Sequence, residues 1–158
     1  MTELVHLDVA DQVATITLDS EHNRNALSRQ LVSELGERLA AVEADDSVRV
    51  VVVRSAHRVF CSGADLTEAA EGSMEQGARD LVELQRSIVA SAKPVVVVLA
   101  GPVRAGGLGL VGAADLVICA ESVTFALSEV RLALAPAVIG LALLGRLDSR
   151  AAADVSLT

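Results

Sequence analysis

Two short stretches hold the residues that could do chemistry. GPVRAGGLGLVGAAD, residues 101–115, follows a run of valines and carries Gly107, Gly109 and Gly112 in G-x-G-x-x-G spacing, with Gly106 just before them. VFCSGADL, residues 59–66, follows a second β-branched run and carries Gly63 ahead of a helix start near Asp65. Strand-to-helix turns of this kind present free backbone N–H groups, because the first amides of a helix have no partner within it. One such turn can cradle a dinucleotide's pyrophosphate. Two that converge, here through the Ala64 and Gly106 amides, make an oxyanion hole. The third candidate is Glu129 in ALSEVRL, a carboxylate able to move a proton; a solvated charge at a helix start and an ion pair with Arg131 are its other readings.

The dinucleotide reading is the weaker one. Its acidic residue should close the next strand, which ends near Cys119-Ala120-Glu121, whereas Glu129 lies past a further strand-like segment. The fingerprint should open its domain, and here about a hundred residues precede it. The helix starting near Gly106 is also short and rich in glycine for such a crossover. Tight helix–strand packing accounts for some of the glycines, yet it does not explain why a second glycine turn follows a second buried strand.

The elements that must position these groups alternate. Residues 3–9 and 13–18 read as a hairpin around Ala10-Asp11-Gln12. His22 to Ala26 is a polar loop. Ser28 caps a helix whose apolar positions are Leu31, Leu35, Leu39 and Val42. Val48 to Arg54 and Pro94 to Ala100 read as strands covered on both faces. Met74 to Ala92 carries Leu81, Leu84, Ile88 and Val89 at helical spacing, and Leu116 to Cys119 is a third strand. Ser122 to Ala126 is a further short strand, and helix follows from about Pro136, its last segment running from near Ser149 to Thr158. Strands alternating with helices predict an α/β fold with parallel pairing. The chain is read as one domain, residues 1–158.

Composition narrows the function. The 158 residues are 52% hydrophobic and 22% charged, with two Phe, no Trp and no Tyr, so the core is aliphatic. A net charge of −8 argues against nucleic acid or anionic lipid as a partner. Cys61 and Cys119 form no ligand or disulfide pattern, as expected in a reducing cytosol, and small-residue packing is the preferred role for Cys61. His6, His22 and His57 are scattered, so no metal site is expected. The longest apolar run, Leu132 to Gly145, contains Pro136 and is too short to span a bilayer. A cytoplasmic protein is expected.

Four segments, in order, resemble the crotonase superfamily, which includes enoyl-CoA hydratases and isomerases: HNRNAL (22–27), VFCSGADL, GPVRAGGLGLVGAADLVIC and FALSEVRLALAP (125–136). The resemblance covers almost the whole chain. It implies a crotonase-like spiral of ββα units, acyl-CoA substrates of fatty-acid or branched-chain catabolism, and a homo-oligomeric trimer or hexamer. CoA is then part of the substrate, and no separate cofactor is implied. It assigns the Ala64 and Gly106 amides to the thioester oxygen and Glu129 to proton transfer. It places Arg24, Ala26, Ala64, Asp65, Leu66 and Gly106 along the CoA. Arg54, Arg58 and Arg104 are phosphate contacts or ordinary surface charges, Asp65 contacts CoA or charges a helix start, and Asp115 fixes a turn. The family's first glutamate should stand three residues after Gly106, where this chain has Gly109. That departure leaves three readings: a hydratase, a one-glutamate isomerase, or a silent CoA-binding protein. Relatives continue beyond the equivalent of Thr158, so the domain is read as lacking most of a C-terminal helical region.

Overall fold

A computed structural model of the protein describes residues 2–71 and 74–157. The predicted hairpin forms: β1 (Val5–Ala10) and β2 (Val13–Leu18) pair antiparallel, Val5 opposite Leu18. Its turn residues Asp11 and Gln12 both take positive φ, 50° and 66°, the backbone hand that matches strand twist in a two-residue hairpin. Ser28 caps α1 (Arg29–Glu43), its Oγ accepting from the Leu31 amide at 3.3 Å. The Leu31, Leu35, Leu39 and Val42 stripe is buried, where α1 packs on β1 and β2.

Strands β3 (Val50–Ser55), β4 (Val95–Leu99) and β6 (Leu116–Cys119) extend the sheet in parallel, in the order β1-β2-β3-β4-β6. The expectation that the valine runs are covered on both faces is corrected. Val51, Val53, Val95, Val97 and Leu99 are buried, whereas Val50, Val52, Val96 and Val98 on the other face are partly exposed and β6 is exposed throughout. A β-branched run favours an extended backbone; it does not specify what lies on each side. Val89, predicted as core, is 64% exposed at the end of α3 (Met74–Val89).

After each long strand the chain drops to a thin second layer. Leu27 follows β2, Cys61 to Ala64 follow β3, β5 (Val103–Arg104) follows β4, and β7 (Phe125–Ala126) follows β6. Parallel bridges Leu27–Ala64 and Cys61–Val103, then the parallel β5–β7 pair, knit this layer together. The result is the expected spiral of ββα turns. The two-residue β5 has no sequence signal of its own; its partners define it. Helices α2 (Leu66–Glu71) and α3 leave the second turn, and α4 (Gly107–Ala113) leaves the third. Helices α5 (Ala137–Leu143) and α6 (Ser149–Leu157) follow; Thr158, the predicted helix end, lies outside the described residues. The apolar stretch from Leu132 is split: Ile139 and Leu143 are buried, Leu134, Leu141 and Leu144 exposed.

Asn25 locks the early loop to the rest. It is fully buried at φ 53°. Its Oδ1 accepts from the Ser20 amide at 2.7 Å, and its Nδ2 faces Ser55 Oγ (2.8 Å), the Val59 carbonyl (3.2 Å) and the Phe60 carbonyl (3.1 Å). Nearby, the structure gathers two of the three histidines that the sequence left scattered. The Nε2 atoms of His6 and His57 lie 2.8 Å and 2.6 Å from the two carboxylate oxygens of Asp19. Among the described residues no group of His, Cys, Asp or Glu is arranged to hold a metal.

Two outcomes follow from these contacts. Asn25→Ala strands the Ser20 amide and the buried Phe60 carbonyl, while the Val59 carbonyl keeps the Ser55 hydroxyl, and should lower the unfolding free energy by about 2–3 kcal/mol, read from urea midpoints. Its hydrogen bond to Asp19 raises the His6 pKa above the ordinary 6.5, and the His6 and His57 contacts lower that of Asp19 below 3.8. The His6 contribution is complete below pH 6.5 and fades as pH rises through its raised value; the Asp19 contribution is present above 3.8 and is lost as pH falls through its lowered value. Asp19→Asn should therefore lower Tm at about pH 5.5 and have a smaller effect at about pH 9.

Candidate active site

The two glycine turns meet. Gly63 has φ 101° and Ala105, just before Gly106, has φ 44°. A Cβ on Gly63 would lie 2.7 Å from the Ala105 Cβ and 3.6 Å from the Gly106 nitrogen. A Cβ on Gly106 would lie 2.7 Å from Leu27 Cδ1 and 3.8 Å from the Ala64 nitrogen. The second layer brings them together: the Leu27 amide donates to the Gly63 carbonyl (2.7 Å), Arg104 to Cys61 (3.0 Å) and Ala105 to Ala126 (3.0 Å). Between these engaged neighbours, the Ala64 and Gly106 amides donate to no acceptor among the described residues.

Ala64 lines a cavity of about 320 Å³ together with Leu27, Asp65, Leu81, Glu129 and Val138, and Gly106 lies behind Leu27 and Leu81 of that lining. Glu129 stands in a 3-10 turn, Ser128–Leu132, which buried Leu127 anchors and left-handed Ala133 (φ 56°) ends. Its Oε2 is buried without a hydrogen-bond partner. Burial pushes its pKa above the usual 4.5, opposed by a hydrogen bond from its own backbone amide. A solvated surface charge would show neither feature.

The remaining predicted residues divide. Asp65 caps α2, accepting from the Thr67 amide (3.0 Å) and hydroxyl (2.5 Å) and from Asn23 Nδ2 (3.1 Å); the Thr67 hydroxyl is the main cause of its lowered pKa. Leu66 is 65% exposed beside it, Arg24 is exposed at φ 58°, and Ala26 is buried. The cavity lining does not include Arg24, Ala26, Leu66 or Gly106. Arg54 reaches Thr17 Oγ1, and Arg104 is spent on the Val103 and Thr124 carbonyls and the Thr124 hydroxyl. Neither they nor Arg58 line the cavity. Asp115 holds a turn as predicted: its carboxylate accepts from the Val95 amide, and its own amide donates to the Val95 carbonyl.

Sequence reading missed Arg29 and Gln85. Arg29 lines the cavity and pairs with Glu68 at 3.4 Å; a first-turn position carries no signal that it borders a site. Gln85 is 5% exposed, and Leu81, Leu84 and Ile88 surround it on one face of α3. A polar residue inside that stripe was the available signal. The G-x-G-x-x-G spacing also finds its explanation. A Cβ on Gly107 would meet Cys61 Cβ at 2.7 Å, one on Gly109 the Gln85 carboxamide at 3.0–3.2 Å, and one on Gly112 the Leu143 backbone at 2.8 Å. Close packing on three sides of α4 accounts for the three glycines, most tightly at Gly107 and Gly112. Cys61 is sealed, and burial pushes its thiol up to about 12, so it is a packing residue.

A profile described as enoyl-CoA hydratase/isomerase matches residues 8–158. The chain is similar to a solved enoyl-CoA hydratase from Mycobacterium avium, with 45% identity and a TM-score of 0.90 over 100% of this chain and 63% of that one. It is 34% identical to carnitinyl-CoA dehydratase of Proteus mirabilis over 146 residues, 86% of this chain and 53% of the relative. It is 39% identical to the mouse mitochondrial enoyl-CoA hydratase domain-containing protein 2 over 132 residues, 81% of this chain and 45% of the relative. The chain thus spans about half the length of these curated relatives. Its spiral, its paired glycine turns and these likenesses agree: the chain belongs to the enoyl-CoA hydratase/isomerase family of the crotonase superfamily.

Proposed function

We propose that this protein acts on acyl-CoA thioesters, with the thioester oxygen held between the Ala64 and Gly106 amides and Glu129 moving the proton. The observation that carries this reading is the pair of unengaged main-chain amides beside a cavity that also holds a carboxylate oxygen without a partner. In hydration of a 2-enoyl thioester, Glu129 takes a proton from water and the water oxygen bonds to Cβ. The alkene pair moves to Cα and on to the thioester oxygen. Charge on that oxygen is what the two amides stabilise, each worth about 3 kcal/mol of barrier. The enolate collapses as Glu129 returns its proton to Cα, so the enzyme ends unchanged. CoA would run past Arg24, Ala26, Asp65 and Leu66, with Arg29 the cation at the cavity.

Gly109 favours a second reading, double-bond migration, because no carboxylate stands there. Glu129 would then take a proton from one carbon of a 3-enoyl thioester and return it two carbons along. The proposal extends to acyl-CoA catabolism in the cytosol and to a trimer or hexamer. Exposed Leu116, Val117 and Ile118 on β6 support self-association, and light scattering showing only monomer would remove that part.

An acyl-CoA panel assayed for both reactions tests the main reading. Glu129→Gln should lower kcat about 10²–10⁴-fold in whichever reaction the wild type performs; an equal rate in the variant removes Glu129 from the mechanism. Because the base must be ionised and burial raises its pKa, activity should fall as pH drops, with an acid limb above 4.5. Gly63→Ala, strained at φ 101° and in collision with Ala105, should lose at least about tenfold in kcat/KM by displacing the Ala64 amide.

A further inference from the structure

Gln85 is the polar group nearest the place where the family glutamate is missing. Its carboxamide lies 3.0–3.2 Å from where a Cβ on Gly109 would be, so it fills the space that a side chain at 109 would occupy. Its Nε2 faces the Leu81 carbonyl at 3.3 Å. A carbonyl only accepts, so the amide nitrogen must point there and Oε1 must be the other atom. That Oε1 is buried and has no partner.

Among the described residues only Gln85 Oε1 and Glu129 Oε2 are buried side-chain oxygens or nitrogens without a partner. Glu129 lines the 320 Å³ cavity, and Gln85 lines the adjoining groove. Leu81, one turn before Gln85 on α3, lines the cavity with Glu129 and would sit 3.5 Å from a Cβ on Gly106. Gln85 would touch a Cβ on Gly109, one turn after Gly106 on α4. The two helices therefore run side by side from the oxyanion amide toward Gln85. Val138 lines both the cavity of Glu129 and the apolar groove of about 420 Å³ that Gln85 lines between α3 and α5. An amide oxygen sealed without a donor is a standing cost, and a leucine would fit the Leu81, Leu84, Ile88 face without it.

We propose that Gln85 is a positioning residue for hydration: its Oε1 accepts a hydrogen bond from the water whose proton Glu129 takes. Gln85 carries no proton in the reaction. It orients the water so that the oxygen lone pair faces Cβ while one O–H points to Glu129 and the other to Gln85. This rests on the acyl-CoA reading above. It separates the two reactions, since hydration consumes a water and double-bond migration does not.

The test compares wild type with Gln85→Leu and Gln85→Glu on 2-enoyl-CoA hydration, on 3-enoyl-CoA migration, and on binding of a saturated acyl-CoA by calorimetry. Gln85→Leu should lose roughly 10–100-fold in hydration kcat, keep acyl-CoA affinity and migration within about twofold, and gain in Tm because an unpaired buried oxygen is gone. Gln85→Glu should recover part of the hydration and add a second ionisation to its pH profile. Hydration by Gln85→Leu at the wild-type rate overturns the inference. So does an equal fall in both reactions together with a lower Tm, which marks Gln85 as structural. A wild type that binds acyl-CoA and only migrates double bonds overturns it too, while leaving the acyl-CoA reading standing. A wild type that neither binds nor turns over any acyl-CoA rejects that reading itself.

Discussion

The site depends on two backbone turns sharing a space too small for a side chain. Gly63 is held at φ 101° with 2.7 Å between its would-be Cβ and that of Ala105. Ala105 answers by taking φ 44°, a left-handed conformation that costs an alanine about 1–2 kcal/mol. That strain persists because the second layer over-determines it. The Arg104 amide is tied to Cys61 and the Ala105 amide to Ala126, so the backbone cannot relax without breaking bonds on both sides of the turn. The spiral topology therefore does more than build a core. It sets the third turn against the second at a fixed separation and leaves one amide of each unengaged.

The same logic explains where sequence reading succeeded and where it failed. Helix α1 was legible because its signals are local: a Ser28 cap and leucines every four residues. The hairpin turn was legible for the same reason. The two glycine turns could be located, but their meeting could not be read from local pattern, because it is made by bridges between residues about forty apart, such as Cys61 and Val103. Only the resemblance supplied it. One-sided burial of the valine strands was illegible because an extended backbone does not record what faces it. Gln85 was passed over because apolar periodicity invites attention to Leu81, Leu84 and Ile88 and treats the polar residue among them as noise.

Hydrogen-bond satisfaction elsewhere in the chain gives the two orphan oxygens their meaning. Asn25 is buried and meets four partners. Buried Ser20 and Ser28 are also paired. Among the described residues, a fold that satisfies these groups leaves Gln85 Oε1 and Glu129 Oε2 without donors, on the linings of two adjoining cavities that share Val138. Native cores tolerate few such atoms, and those they keep call for a specific explanation.

A single carboxylate also constrains the chemistry more tightly than a pair would. With two, one can stay ionised as base while the other stays protonated as acid, and their environments can be tuned apart. On the proposed reading, with glycine at 109, Glu129 would serve in both capacities within one turnover. A strongly depressed pKa would make it a poor acid toward the enolate, and a strongly raised one would leave it protonated before water arrives. Partial burial moves it upward, opposed only by a hydrogen bond from its own backbone amide, which would suit a group that accepts and then releases the same proton. The neutral carboxamide of Gln85 would fit near such a group, because it can accept from a water without adding a second ionisation to the site.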